Sequence, residues 1–543
     1  MIWKFFKKLV LRSFGTLFNN EIKTLKEIKV RQTKKNQEDI NFNLVSIYSK
    51  LQTSFEKKEI VDDTTWNDLD MNSVFLKINR CLSPIGSQYL FHNMRVYKKS
   101  TLMHNKRFKR YKYFTENHSL SKKILLQLYK LRSENAFYIP NLLFKEIPQK
   151  PKFYFVFYIL SFLSILSMSA VFFYPQFIFS TIFIFLINIF INLHFNRRIS
   201  DYFIDASNLG KLLEVGVKIS KFNEKELSQI ITLKKHQNFS KSLIKRLGWL
   251  SVDKFSLNDL SAIIIDYFNY FCLFNVVFFI RSINFINGHK NELIQIYEAV
   301  SSLDAEISIS SYLQSLQFYC LPEFNKANII KTKDMYHPIL IDPVSNSLSI
   351  SNKSSLITGS NMAGKTTFIK TIGVNTIISQ TLSFAYANFA MIPKNIVKSS
   401  IKKSDDINQS KSYYYSEIEA ILQFIKLSNK FNNYIFLIDE IFKGTNTIER
   451  ISAASSVLNY LSQNNMIFVT THDIELYDLL NKNFNMYHFS EQIKSGKHFF
   501  DYKIKHGTCR TRNAIKLLEI KGYPDNIISN ANSLAKKISN IKK

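Results

Sequence analysis

The apolar patterning implies an α/β domain with a mainly parallel sheet in the C-terminal part of the chain. An all-helical region containing an uncharged helical hairpin precedes it. Three observations carry this reading. Ser355–Thr358, Tyr434–Ile438 and Met466–Thr470 are short, largely apolar runs that each end in polar residues, as parallel strands buried on both faces do. A glycine-bracketed loop joins the first run to a helical pattern through Phe368, Ile369 and Ile372. Phe153–Phe195 contains no charged residue and is broken only at Tyr174-Pro175-Gln176.

At 543 residues the chain can hold two or three domains, each with its own core. The divisions expected are a basic segment over 1–65, a helical region over 66–149, the hairpin over 150–198, a second helical part over 199–320, and the α/β domain with C-terminal helices over 321–543. Cys81, Cys272, Cys320 and Cys509 lie far apart with no metal-ligand spacing, so reduced thiols are expected, with neither disulfide nor zinc. The formal charge of +30 is weighted forward, with 29 Lys/Arg against 13 Asp/Glu in residues 1–150. Such a field attracts nucleic acid or an anionic membrane surface, and is equally that of a merely Lys-rich protein.

In chain order, Met1–Phe18 sets Ile2, Phe6, Leu9, Val10, Leu17 and Phe18 at helical spacing opposite Lys4, Lys7, Lys8 and Arg12. This fits a helix on an acidic membrane surface or an ordinary terminal helix. The two halves of the hairpin, 153–174 and 177–195, are each long enough to cross a hydrocarbon core, and Pro175 supplies the break. Lys145, Lys150 and Lys152 before it and Arg197 and Arg198 after it place both flanks in the cytoplasm, which implies an inner (cytoplasmic) membrane location with the helical and α/β parts inside. Ala262–Ile280 is a weaker case: Asp266, Asn269 and Asn275 interrupt it, and it reads as a buried core helix or a further membrane segment.

The loop Gly359-Ser360-Asn361-Met362-Ala363-Gly364-Lys365-Thr366 sits between a strand and a helix, the order that phosphate binding requires. Its glycines let backbone N–H groups wrap phosphates, the helix N-terminus adds a favourable dipole, Lys365 reaches the outer phosphates, and the Thr366 hydroxyl suits Mg²⁺. The second strand ends in Asp439-Glu440: Asp439 is expected in the Mg²⁺ shell and Glu440 as the group that orients or deprotonates the attacking water. The third leads to Thr471-His472-Asp473, which sets an imidazole within reach of the γ-phosphate or that water.

These three strand ends resemble the ABC-type ATPase class, and the words between them resemble the MutS family. Thr358–Thr367 is similar to the family's phosphate loop, Asp439-Glu-Ile-Phe-Lys-Gly-Thr445 to its continuation after the Mg²⁺ aspartate, and Asp405–Glu417 to its signature segment. Gly507–Leu518 and Gly522–Ile528 resemble its final helical segment. Leu303–Ser308 and Asp68–Gly86 carry fainter traces of its helical levers. The resemblance implies an ATPase with ATP and Mg²⁺ as ligands, working as a homodimer in which Ser412 acts on the partner's nucleotide. It also implies DNA binding and a relation to mismatch repair. Thr367 falls in the same loop, and Tyr502 lies where the family places a ring near the adenine. Tyr336-His337-Pro338 resembles the family's entry to the ATPase domain and is expected to be structural.

The chain also departs from the family pattern. Ala363 replaces the usual loop glycine, and Tyr413-Tyr414-Tyr415 alters the residues after the signature serine, yet no catalytic group is lost. The mismatch-reading domain is expected to be missing before residue 66, and Phe114-Thr-Glu116 and Phe144-Lys-Glu146, with the bare Phe-x-Glu spacing, are given no role. The hairpin falls roughly where the family inserts its DNA clamp. Two functions therefore compete: a membrane-anchored ATPase that couples hydrolysis to lever movement on DNA, and a membrane-associated ATP-driven switch or scaffold with a protein or lipid target.

Overall fold

The computed structural model describes residues 40–541 apart from 56–58, 99, 147–148, 249–266, 361–362, 402–412, 431–432, 443–444, 495–496, 508–514, 516–517 and 520–521. Met1–Phe18, Cys509 and most of Gly507–Leu518 lie outside the described residues. Two units interleave along the chain. One is built from Phe75–Asn93, Lys109–Leu316 and the described residues before Lys58; the other from Glu59–Val74, Met94–Phe108 and the chain from Gln317 onward.

The second unit holds all the named strands: β1 (Glu323–Asn325), β2 (Ile329–Met335), β3 (Asn346–Ser351), β4 (Ser354–Thr358), β5 (Phe389–Pro393), β6 (Ile396–Ser400), β7 (Tyr434–Asp439), β8 (Met466–Thr470), β9 (Phe484–Lys494) and β10 (Lys497–His506). They form a sheet in the order β10-β9-β4-β8-β7-β6 and a smaller one in the order β1-β5-β2-β3. In the larger sheet every pairing from β9 to β6 is parallel, and only β10 runs against its neighbour. The three apolar runs are its inner strands, with β4 and β8 buried at every position. Burial on both faces is why β7 and β8 read as nearly unbroken hydrophobic runs rather than alternating ones, while β4 buries Ser354, Ser355 and Thr358 beside Leu356 and Ile357.

The helix Lys365–Leu382 follows β4, and its middle glycine is a packing device. A Cβ on Gly373 would come within 2.5 Å of Leu437 and 2.9 Å of Leu69. The edge strand β6 is covered by a segment from much earlier in the chain. Asp68 accepts from Ser399 Oγ at 2.7 Å and from the Ile401 N–H at 2.9 Å, and Lys398 pairs with Asp62 at 2.8 Å. Such a cover satisfies polar groups that an open edge would present to another chain. Residues 66–74, grouped by linear order with the helical region, thus pack in the α/β unit.

The first unit is helical, with a core from Tyr48 to Ile307 in which Leu209, Leu213, Ile283, Tyr297 and Val300 are fully buried. Phe114 is buried in it and Phe144 packs against it, which accounts for both Phe-x-Glu matches as core. Asp304 of the helix Lys290–Leu313 accepts hydrogen bonds from the Leu82 and Ser83 N–H groups at 3.1 and 2.8 Å and from the Ser83 hydroxyl. Gly86 is needed beside it, since a Cβ there would lie 2.4 Å from the Asp304 carboxylate. Arg110 forks onto Glu306, which also accepts from Gln229 at 2.9 Å.

Two helices among the described residues are long and apolar enough to cross a membrane, Phe155–Phe173 and the stretch Pro175–His194. The second does not stop at Arg197-Arg198: after a short turn at Pro175–Phe177 a single helix runs Ile178–Ile219. Two arginines cost a helix nothing, and Ala206, Leu209 and Leu213 continue its apolar face into the core. In Phe155–Phe173 the buried residues are Ser161, Ser164 and Ser167, while Phe162, Leu166 and Phe172 are exposed. Of Ala262–Ile280, residues 262–266 lie outside the described residues, and the remainder is not one core helix. Leu273 adopts φ +55°, and a new helix, Phe274–Gly288, starts after it.

Candidate functional site

The sheet order brings together what the sequence separates. β8 lies between β4 and β7, so the loop after β4, Asp439-Glu440 at the end of β7 and Thr470–His472 at the end of β8 come side by side. Ligands collect at the carboxyl ends of such strands, where helix N-termini converge.

In the β4 loop, Gly359 has φ +137° and a Cβ there would meet the Phe489 carbonyl at 2.7 Å, while Gly364 has φ +98° and leads directly into the helix at Lys365. Both positions therefore require glycine. Ala363 is buried. Ser360 Oγ is buried with no hydrogen-bond partner among the described residues. Asn361 and Met362 lie outside the described residues. The Lys365 ammonium, almost wholly buried, folds back onto the Gly359 and Ser360 carbonyls at 2.7 and 3.0 Å. An ammonium held over a loop of this shape fits a phosphate chain, as does an unsatisfied hydroxyl beside it.

Thr366 Oγ1 donates to Asp439 Oδ2 at 2.8 Å, and the Thr470 hydroxyl donates to Asp439 Oδ1. A hydroxyl and a carboxylate in contact at a helix N-terminus are hard oxygen donors of the kind Mg²⁺ takes in small number beside a phosphate. The donor set fits the ion. Glu440 stands in the left-handed region at φ +57°, its N–H bonded to the Thr470 carbonyl at 3.1 Å. This uncommon backbone state turns its carboxylate toward His472, whose Nε2 lies 2.8 Å from Glu440 Oε1 and 3.3 Å from Lys365 Nζ.

Three supporting residues were given no individual role by the sequence. Glu417 is buried and its carboxylate accepts the N–H of Phe442, itself at φ +57°, which fixes the turn after Glu440. Thr470 clamps Asp439, as above. Arg450, on the helix Thr447–Ser462, forks onto Asp473 with contacts of 2.9 and 2.6 Å, tying down the residue after His472. Hydrogen bonding to Asp473 raises the Arg450 guanidinium above its ordinary value. A periodicity argument cannot find such pairs, because their partners are remote in sequence.

Beside the loop lies a pocket of about 420 Å³ lined by Gly364, Thr366, Thr367, His337, Phe489 and Tyr502, among others. Tyr502 sits where the β9–β10 register shifts, between Phe500 and Ile504, with φ +50°, and its carbonyl accepts from Asn346 at 3.0 Å. A bulge of this kind re-aims a side chain. The ring comes within 3.3 Å of where a Gly364 Cβ would stand. Tyr336 donates to the Phe318 carbonyl at 3.0 Å, a packing contact, while His337 lines the pocket. Ser412 lies outside the described residues, as do the side chains of Tyr413 and Tyr414. No group of three or more His, Cys, Asp or Glu suited to a metal occurs among the described residues.

Residues 355–539 match the family described as MutS domain V. The DNA mismatch repair protein MutS of Fusobacterium nucleatum is 28% identical over 271 residues, which cover 47% of this chain and 30% of that protein. MutS protein homolog 4 of Homo sapiens is 30% identical over 273 residues, 47% of this chain and 28% of its own length. The chain thus spans less than a third of the length of the curated relatives it matches.

Proposed function

We propose that the chain is a member of the MutS family, through the α/β phosphate-loop domain that residues 355–539 match, and that it is a Mg²⁺-dependent ATPase that works as a homodimer and is anchored in a membrane. The observation that carries the ATPase reading is the meeting of Lys365, Thr366, Asp439, Glu440 and His472 at three neighbouring strand ends. Lys365 and the backbone of Gly359–Gly364 hold the phosphates, with Thr367 at the pocket wall. Thr366 and Asp439 hold Mg²⁺, which when bound neutralises charge on the phosphate oxygens. Glu440 takes a proton from the attacking water, and His472, hydrogen-bonded to it, orients that water and the γ-phosphate. Tyr502 covers the base side of the pocket. Ser412 completes the site on the partner subunit's nucleotide, which makes turnover depend on dimer closure.

Glu440→Gln tests this in the detergent-solubilised chain. The amide keeps the size of the side chain and removes the base, so turnover should fall by about 10²–10⁴-fold with ATP still bound. Undiminished turnover would refute the assignment.

The membrane anchor rests on the inside-out pattern of the hairpin. A helix pair in a water-soluble core buries its phenylalanines and leucines; here serines are inside and aromatic rings outside. Hydrocarbon is the solvent in which that arrangement is favourable. Both flanks then lie in the cytoplasm, under the positive-inside rule, at an inner membrane. ATP-driven closure would be transmitted through the helical unit as lever motion.

The relatives' names point to DNA mismatch repair, and the basic chain would grip DNA in the family manner. Affinity that falls steeply with salt supports this target; negligible binding at low salt favours a membrane-associated switch or scaffold acting on protein or lipid.

A further inference from the structure

The hairpin's polar interior has a second partner. Asn188 and Asn192, one turn apart on the second hairpin helix, are fully buried. The Asn188 amide donates to Ser164 Oγ at 2.7 Å and to the Phe271 carbonyl at 2.6 Å, and the Asn192 amide donates to the Asn269 carbonyl at 3.2 Å. Asn269 in turn accepts the N–H of Asn275 through its own side chain at 2.7 Å. These bonds lie on either side of the helix break at Leu273. They satisfy the end of one helical piece and the first turn of the next.

Ser164 stands near the middle of Phe155–Phe173. Whatever bonds to Asn188 beside Ser164 shares that depth. If the hairpin crosses the hydrocarbon, the piece ending at Cys272 lies within it. A broken helix survives there only where protein groups replace the missing backbone partners, and Asn188, Asn192 and Asn269 supply them. The outer face agrees: Tyr267 and Phe268 are 66% and 46% exposed. They continue the hairpin's apolar surface around two open grooves of about 420 and 460 Å³, lined mainly by apolar atoms. One lies among Met168, Ile182, Phe185 and Phe271, the other among Ile165, Phe172 and Phe274.

We infer that residues 267–280 form a third membrane-embedded element, a discontinuous helix clasped by Asn188 and Asn192, and that the two grooves it forms with the hairpin take lipid acyl chains. The inference rests on the membrane reading of the hairpin. Asn188 and Asn192 are costly in a bilayer unless paired, and it is their amide N–H groups that the Phe271 and Asn269 carbonyls of the broken helix satisfy.

The test uses the full chain with Cys81, Cys272, Cys320 and Cys509 replaced by serine, reconstituted in phosphatidylcholine–phosphatidylglycerol vesicles. Single cysteines are introduced as Phe172→Cys on the hairpin, Phe268→Cys on the third element and Leu479→Cys on the α/β unit. A membrane-impermeant maleimide should label position 479 and spare 172 and 268. A fluorophore at 172 or 268 should be quenched by lipids carrying nitroxide on their acyl chains. Shielding at 172 with labelling at 268 overturns the third element and leaves the hairpin standing. Labelling at both overturns the membrane reading itself. Adding Asn188→Leu should raise labelling at 268 several-fold and leave 172 shielded; no change at 268 would overturn the clasp.

Discussion

Asp304 sets burial against hydrogen bonding in a single carboxyl group. Burial pushes it up from 3.8 to about 6, although the Leu82 and Ser83 N–H groups and the Ser83 hydroxyl all favour the ionised form. At about 1.4 kcal/mol per pKa unit, the rise corresponds to roughly 3 kcal/mol. The sign follows from proton counting. The folded chain binds the extra proton between the two values, so this stabilisation is complete below about pH 4 and is lost as pH rises through 6. Asp304→Asn cannot titrate. Urea unfolding followed by far-ultraviolet circular dichroism, run on both proteins from pH 4 to pH 8, isolates the group, because all other titrations cancel in the difference. The wild-type chain should lose roughly 2.4 kcal/mol relative to the variant across that range. A difference that stays flat, or that grows in the opposite direction, would refute the claim that burial outweighs the three donors.

The Arg450–Asp473 fork should show coupling of about 1–2 kcal/mol in a double-mutant cycle of thermal unfolding with alanine at each position, and each single variant should slow ATP turnover by loosening His472. Additive variants with unchanged turnover would remove Arg450 from the site's support. Gly373→Val drives a branched side chain into Leu437 and Leu69 and should cost about 1–3 kcal/mol, read as a lowered melting temperature of the α/β unit. Tyr502→Ala should weaken binding of a fluorescent ATP analogue about tenfold while Tyr502→Phe retains it, as expected of an aromatic face on the adenine. Equal losses in the two variants would assign the contact to the hydroxyl instead.

The candidate nucleotide site was legible because its parts are local words: a loop needing glycine at fixed positions, and two strands, Tyr434–Asp439 and Met466–Thr470, whose two-sided burial leaves nearly continuous apolar runs. The hairpin was legible for the same reason, since length and absence of charge are properties of a contiguous segment. The tertiary structure decided the rest. Chain order runs β4, β7, β8, but the sheet inserts β8 between the other two, and that exchange is what sets His472 between Lys365 and Glu440. Asp68 covering β6, Arg450 holding Asp473 and Asn188 clasping Phe271 are pairings between residues remote in sequence, each a polar group satisfied by a partner that no periodicity announces. The sequence by itself determined which segments must be buried and where phosphate chemistry could stand. Packing, which must satisfy most of the polar groups it hides, determined which residues support that candidate site.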